Sequence, residues 1–352
     1  MKAIRWSLFG LAFYGAALPQ SWGANTPTYI IVDGPGATAT LPFSLNNSNG
    51  VTGYYQDASA GVHGFVLSPA GEYTTFDAPG ADPVQGTWPW SINAAGTVVG
   101  NYVDQNSVSH GFVRSPAGTI TTFEVPGSGT EPGGGTFFVV TNDANDLAGR
   151  YSDANSAVHG FVRTHAGFTT IDVPDASFLG TWVTGIDNAG NVTGYSWSGS
   201  VTIGFVRTAS GALTQFAVPD GSNTIPTSIN TGGAITGTYI NTYGISAGFV
   251  RSPSGTLTTF SGPAENLGQN PGTHPTGIDK TGLIVGYYYD TSYGRIRGFV
   301  EAPNGSFAAF DAPGAGYGMT RGTYAYGIND SGAITGYYVD SDNNYHGFLR
   351  IP

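Results

Sequence analysis

The stretch SINAAGTVVGNYVDQNSVSHGFVRSPAGTITTFEVP, Ser91 to Pro126, decides the fold, because the rest of the chain repeats it. It returns as GINDSGAITGYYVDSDNNYHGFLRIP from Gly327 to Pro352, with weaker copies between. A Gly-Phe pair marks each copy, at Gly64, Gly111, Gly160, Gly204, Gly248, Gly298 and Gly347. Successive markers lie 47, 49, 44, 44, 50 and 49 residues apart. A period of about 40–50 residues holding several short strands is the mark of a propeller or a solenoid.

Turn signals divide the copy around Ser91 into four strands. Pro89 to Asn93 ends at the turn Ala94-Ala95-Gly96, and Thr97 to Val103 ends at a polar tip, Asp104 to Ser107. Val108 to Ser115 follows, and Pro116-Ala117-Gly118 turns the chain into Thr119 to Val125. Loops this short make neighbouring strands antiparallel. The pattern recurs over Val140 to Val173, Gly185 to Val218, Ser228 to Gly262 and Gly277 to Ala312. Four-stranded meanders repeated radially are the blades of a β-propeller.

The chain ends carry the closure expectation. The last copy stops after its third strand at Gly347-Phe348-Leu349-Arg350, while Tyr29 to Gly36 resembles the fourth-strand sequences at Phe76 to Gly80 and Phe310 to Gly314. The sequence therefore predicts an all-β, seven-bladed β-propeller, its ring closed by an N-terminal strand that completes the last blade. Residues 24–352 then form one domain of seven repeats of about 47 residues. A linear solenoid, the alternative, would not need complementary ends.

With 352 residues, net charge -11 and only 10% charged residues, the chain offers no basic surface. That excludes nucleic acid, whose phosphates call for Lys and Arg. There is no cysteine, hence no disulfide or zinc-thiolate site. The first 23 residues, with Lys2 and Arg5 before an apolar run from Trp6 to Leu18, read as a secretory signal peptide. The mature protein is expected to be secreted, periplasmic or on the cell surface, without membrane insertion after cleavage.

The pattern Ser-Ile-Asn-x-x-Gly-x-(Val/Ile)-x-Gly followed by His-Gly-Phe resembles the extracellular HAF-repeat family, over Tyr29 to Pro352. In this chain His precedes Gly-Phe at His63, His110, His159 and His346 only, with Ile203, Ala247 and Arg297 elsewhere. Glycine stands where the family name has alanine. The resemblance implies an exported repeat protein and carries no reaction.

Two glycines recur in every copy, one in the second strand (Gly53, Gly100, Gly149, Gly194, Gly237, Gly286, Gly336), the other before the marker Phe. Their spacing predicts that they face each other across the hairpin and admit aromatic rings from the next blade. The histidines, one per blade, lie too far apart for a metal site, and no cofactor motif occurs. Asp57, Asp104, Asp153, Asp290 and Asp340 read as turn caps at the strand tips. Trp88, Phe137, Trp182, His274 and Tyr324, at the start of the innermost strands, are expected to ring the channel mouth as ligand-binding residues. Flat apolar faces suit sugar rings. Glu131, Glu265, Arg321, Arg150 and His274 depart from the repeat. The leading expectation is a binding or scaffold protein, for a glycan or small-molecule ligand at this rim. The alternatives are a polysaccharide hydrolase or lyase using the same rim, and a purely structural surface protein.

Overall fold

Short turns leave each repeat little choice but an antiparallel meander, and a computed structural model shows it. The structure describes residues 26–177, 179–263 and 272–352, so the leader segment and Glu265 lie outside the described residues. Every regular element among the described residues is a strand. The copy around Ser91 contains strands Thr87–Ile92, Val98–Val103, Ser109–Arg114 and Ile120–Phe123, close to the bounds expected from its turns. Four-stranded units begin in the same way at Ala39, Thr87, Gly135, Thr181, Ser222, Thr273 and Gly318. They are called units 1 to 7 below. The last has three strands from its own segment; its fourth position is taken by Thr28–Val32, antiparallel to Tyr345–Ile351 with Ile30 opposite Leu349.

Packing joins consecutive units face to face. The marker phenylalanines Phe65, Phe112, Phe161, Phe205, Phe249, Phe299 and Phe348 are fully buried. Burying one such side chain is worth about 1.5–3 kcal/mol. Apolar clusters form between neighbours: Ala78 of unit 1 with Ile92 and Phe112 of unit 2, for example. The last and first units do the same, with Ala333 and Leu349 against Val51 and Phe65.

The repeated asparagine does two jobs. In the Ile-Asn-x-x-Gly turn its Oδ1 accepts backbone N–H groups of its own turn, as at Asn329 from Ser331 and Ala333. Its Nδ2 meanwhile donates to the equivalent carbonyl of the next unit. The links run Asn46 to Asn93, Asn93 to Asn142, Asn142 to Asp187, Asn230 to Asp279 and Asn329 back to Asn46, at 2.8–3.1 Å. Asp187 and Asp279 occupy the position in units 4 and 6; each caps its turn but has no amide to donate.

The third-strand histidines stay within their own units. His63 Nδ1 lies 2.9 Å from Asp77 and Nε2 3.5 Å from the tip residue Asp57, with the ring stacked on Tyr55. His110 and His159 repeat this arrangement with Glu124 and Asp104, and with Asp172 and Asp153. In the last unit His346 pairs with Asp340 and with Asp33 of the N-terminal strand. Arg297 substitutes in unit 6, bridging Asp290 and Asp311. The tip aspartates also cap their turns, as when Asp57 Oδ1 accepts from Ser59 and Gly61.

Two residues after the marker Phe, arginine reaches back to the outer-strand ring of the preceding unit: Arg114 over Phe76, Arg251 over Phe216, Arg350 over Phe310. Unit 6 has Glu301 there. It is 9% exposed, its Oε2 has no hydrogen-bond partner, and burial pushes its pKa up to about 7.

The paired glycines correct the expectation. They are offset by one residue: Gly100 pairs with Phe112, and Gly111 with Asn101. A Cβ on Gly100 would overlap the carbonyl oxygen of Trp88 in the same unit, and one on Gly111 the ring of Phe123, also in the same unit. The next unit contributes a proline instead of an aromatic ring, as Pro89 does beside Gly64. The first overlap has a structural origin. Pro89 pairs with Gly100 and Ser91 with Val99, so Trp90 is an extra residue, a β-bulge that kinks the inner strand toward the glycine.

Two outcomes follow. Gly100→Ala should cost about 1–3 kcal/mol, because a backbone carbonyl cannot move aside, and Gly111→Ala less, because the Phe123 ring can turn. Denaturant midpoints check this; equal losses would contradict the bulge explanation. For Glu301, a folded pKa above the unfolded value gives stability that is present below about pH 4.5 and lost as pH rises through about 7. Glu301→Gln should therefore match the parent at about pH 4 and exceed it by about 2 kcal/mol at pH 9. A pH-independent difference would contradict it.

Candidate functional site

The bulge positions decide what lines the cavity between the inner strands. Phe43, Trp90, Thr184, Thr227, Thr276 and Tyr326 are each the extra residue of their inner strand, and all six line one cavity of about 400 Å³. Unit 3 contributes Phe138. The rest of the cavity wall is made of small and aliphatic residues such as Ser91, Gly185 and Ile278. At the other end of the inner strands, the asparagine turns surround a separate cavity of about 170 Å³.

The predicted residues Trp88, Phe137, Trp182, His274 and Tyr324 stand on the same strands, nearer the end where the chain enters. They do not line the 400 Å³ cavity. Instead Trp88, Trp182, His274 and Tyr324 stack on its lining or on second-strand rings beside it. Trp88 lies 6.1 Å from Trp90 and 4.4 Å from Tyr54; His274 lies 5.0 Å from Tyr287; Tyr324 lies 4.8 Å from Tyr337; Trp182 lies 5.6 Å from Tyr195. The indoles of Trp88 and Trp182 each donate to a carbonyl three residues earlier, Gln85 and Leu179. Phe137 and Trp88 share a side cavity of about 340 Å³ between units 2 and 3 with Trp90, Phe138 and Arg150.

Together these rings form an arc across six units. Tyr287 meets Tyr324 (4.9 Å), Tyr326 meets Phe43 (5.2 Å), Phe43 meets Trp90 (5.0 Å) and Trp90 meets Phe138 (5.3 Å). Between units 3 and 4 the link is a cation: the Arg150 guanidinium lies 5.2 Å from the Phe138 ring and 4.0 Å from Trp182. Unit 5 interrupts the arc, having Ile225, Thr227 and Thr238 at the corresponding places. Burial raises the mouth phenols, pushing Tyr54 and Tyr324 up to about 12. Tyr287, Tyr326 and Tyr337 are raised too, and their hydroxyls bond to one another. All of them therefore remain neutral hydrogen-bonding groups at ordinary pH.

Phe138 departs from the repeat. In other units the inner strand reads proline or an aliphatic toward the core and then the channel residue, as in Pro89-Trp90. Here Phe138 faces the channel, and Val139 is fully buried among Val99, Val125 and Phe161. The reversal places Phe138 at φ 45°, the one aromatic residue among the described residues with positive φ. For a bulky side chain that costs on the order of 1–3 kcal/mol.

The other repeat-breaking residues scatter. Glu131 is exposed on the connection between units 2 and 3, and Arg321 Nε donates to Asn343 Oδ1 at 2.8 Å. Among the described residues, no three His, Asp or Glu side chains converge as metal ligands. The lining residues and the second-strand tyrosines were missed by sequence reasoning, although the pair Trp88-Pro89-Trp90 shows two aromatics on one strand face.

The architecture is that of the β-propeller proteins, and comparison with solved structures supports that class. The chain is similar to a streptogramin B lyase, with TM-score 0.58 and 13% identity over 91% of this chain and 97% of that one. It is similar to an inactive virginiamycin B lyase from Staphylococcus aureus with quinupristin, with TM-score 0.60 and 13% identity over 93% and 100%. A puromycin hydrolase variant matches with TM-score 0.59 and 12% identity over 90% of this chain but 54% of its own. At such identities the likeness concerns the fold. No protein-family model matches the chain, nor does any curated protein.

If the mouth phenols are packed as described, Tyr324→Phe should leave the phenolate absorbance at about pH 11 unchanged, since Tyr324 ionises only near 12. A clear drop in absorbance on that substitution would show the phenol to be open to water.

Proposed function

We propose that the protein is an exported, seven-bladed propeller of the HAF-repeat kind that binds a ring-bearing ligand, a glycan, at its channel mouth. The observation that carries the binding reading is the aromatic arc around a 400 Å³ opening. Stacked, partly exposed rings present the flat apolar faces that sugar rings pack against, and the tyrosine hydroxyls supply polar contacts at their edges. The closed ring is supported by three ties between the last and first units: the strand Thr28–Val32 beside Tyr345–Ile351, the Asn329 amide on the Asn46 carbonyl, and Asn47 bonded to Asp330. Export is supported by the composition of the first 23 residues.

A hydrolase or lyase working at the same mouth is the second reading, favoured by the fold likeness to a streptogramin B lyase and a puromycin hydrolase. Among the described residues, the cavity lining carries aromatic, threonine, serine, glycine and aliphatic residues, without a carboxylate or histidine to serve as acid or base. Binding is therefore the stronger reading.

A glycan array on the mature chain, followed by titration of any hit against Trp90→Ala and Trp182→Ala, tests it. Each variant should weaken binding by more than about 1 kcal/mol, as anchor residues do. Normal binding by both variants would remove the site, and product formation from the hit would favour the enzyme. For the ring, deleting residues 26–33 should lower the melting temperature and promote aggregation through the uncovered strand edge. An unchanged melting temperature would refute closure by this strand.

A further inference from the structure

Within the aromatic arc one member is a cation, Arg150. Other arginines, such as Arg114 and Arg163, also rest on phenylalanine rings without a carboxylate partner among the described residues, but they stand on the outer side of their units, away from the mouth. Arg295 and Arg297 are paired with Asp311. Among the described residues no carboxylate pairs with Arg150, and its guanidinium lies against the side cavity at the mouth. The Tyr195 phenol is the ionisable neighbour that acts on it, and burial lowers its pKa to about 10, which still leaves it charged at neutral pH. A largely desolvated cation without counter-charge is unfavourable. Stacking between Phe138 and Trp182 offsets only part of that, being worth far less than an ion pair with two hydrogen bonds.

The backbone supplies a second, independent observation. Phe138 reaches the guanidinium only by adopting φ 45°, in the one unit whose inner strand reverses its core-then-channel order. The side cavity beside it has a volume of about 340 Å³, is walled by Trp88, Trp90 and Phe137, and has Arg150 as its charged member. The other polar groups there are engaged: Asn101 Oδ1 accepts from the Trp90 indole at 2.7 Å, and its Nδ2 donates to Ser109.

Building on the mouth-binding reading, we propose that Arg150, held between Phe138 and Trp182, is an anchor for a carboxylate on the bound ring, so that the ligand is an acidic sugar such as a uronate unit. The planar guanidinium can present two parallel N–H donors to one carboxylate while its faces stay stacked. The neighbouring rings then cover the faces of the sugar. With a net charge of -11, the chain as a whole repels dense polyanions, which restricts the ligand to isolated carboxylates on an otherwise neutral glycan.

The test uses the full mature chain and two probes: a xylo-oligosaccharide carrying one glucuronate, and the same oligosaccharide with that carboxylate reduced to the alcohol. Calorimetric titration should show the acidic form binding at least ~10-fold tighter, a preference that shrinks as salt is raised. Arg150→Met, which keeps much of the stacking but loses the charge, should bind both forms alike, while Arg150→Lys keeps part of the preference. Equal binding of both forms by the parent chain, with Trp182→Ala weakening both, would overturn the carboxylate anchor and leave the mouth site standing. A preference that survives in a folded Arg150→Met would likewise overturn the anchor. No binding of either form would overturn the anchor and the mouth reading together. Melting temperatures are measured alongside; if Arg150→Met unfolds, the Arg150→Lys affinities and the parent's salt dependence decide.

Discussion

One side chain serves two units at once, and the architecture depends on it. The asparagine of each Ile-Asn-x-x-Gly turn closes its own hairpin through Oδ1 and reaches the next unit through Nδ2. A buried amide satisfied on both sides is worth about 1 kcal/mol net per bond, but leaving either side open would cost more. Local turn geometry is thereby coupled to the spacing between units. Where aspartate replaces asparagine, at Asp187 and Asp279, the local half survives and the inter-unit half is lost. Units 4 and 6 therefore lack this amide tie to the next unit, though Thr276 and Lys280 of unit 6 bond to Ala325 and Asp330 of unit 7.

The bulge provides the second coupling. A strand glycine opposite the inner strand leaves room for the carbonyl of residues such as Trp88, and the extra residue that results is directed into the channel. The same device repeated around the fold sets out a ring of variable residues on a constant frame. Function can then change by substitution at Phe43, Trp90, Thr184, Thr227, Thr276 and Tyr326 without disturbing the glycines, the buried phenylalanines or the turns. Unit 3 departs from this scheme at Phe138, and the departure coincides with the one cation in the arc.

The sequence made the meanders legible because turns are local: Pro116-Ala117-Gly118 and Asp104 to Ser107 are readable without knowing any long-range contact. The partner of the orphan third strand at the C-terminus was legible too, since Tyr29 to Gly36 resembles other fourth strands. The lining of the mouth was only half legible. Trp88, Trp182 and Tyr324 fall on the correct strands and the correct end, but the bulge moves the cavity wall two residues on, to Trp90, Thr184 and Tyr326. A bulge depends on the carbonyl packing of a paired strand, which alternation along one strand does not reveal. The partners of the glycines were misplaced for a related reason. Opposition across the hairpin depends on whether the tip holds four residues or five, and the tip between Gln56 and Val62 holds five, Asp57 to Gly61. The stacking of Arg150 joins two units and had no local signature beyond its departure from the repeat.

Hydrogen exchange at the amides of Thr28–Val32 tests the closed ring most directly. Those residues pair with the C-terminal strand across more than three hundred positions of sequence, Thr28 opposite Ile351. In a closed ring their strand-bonded amides should be protected about as well as those of the outer strand Ile120–Phe123, opening only when a whole unit opens. Exchange at the rate of an unstructured chain would mean that the N-terminal strand is not held, and the ring account would fail.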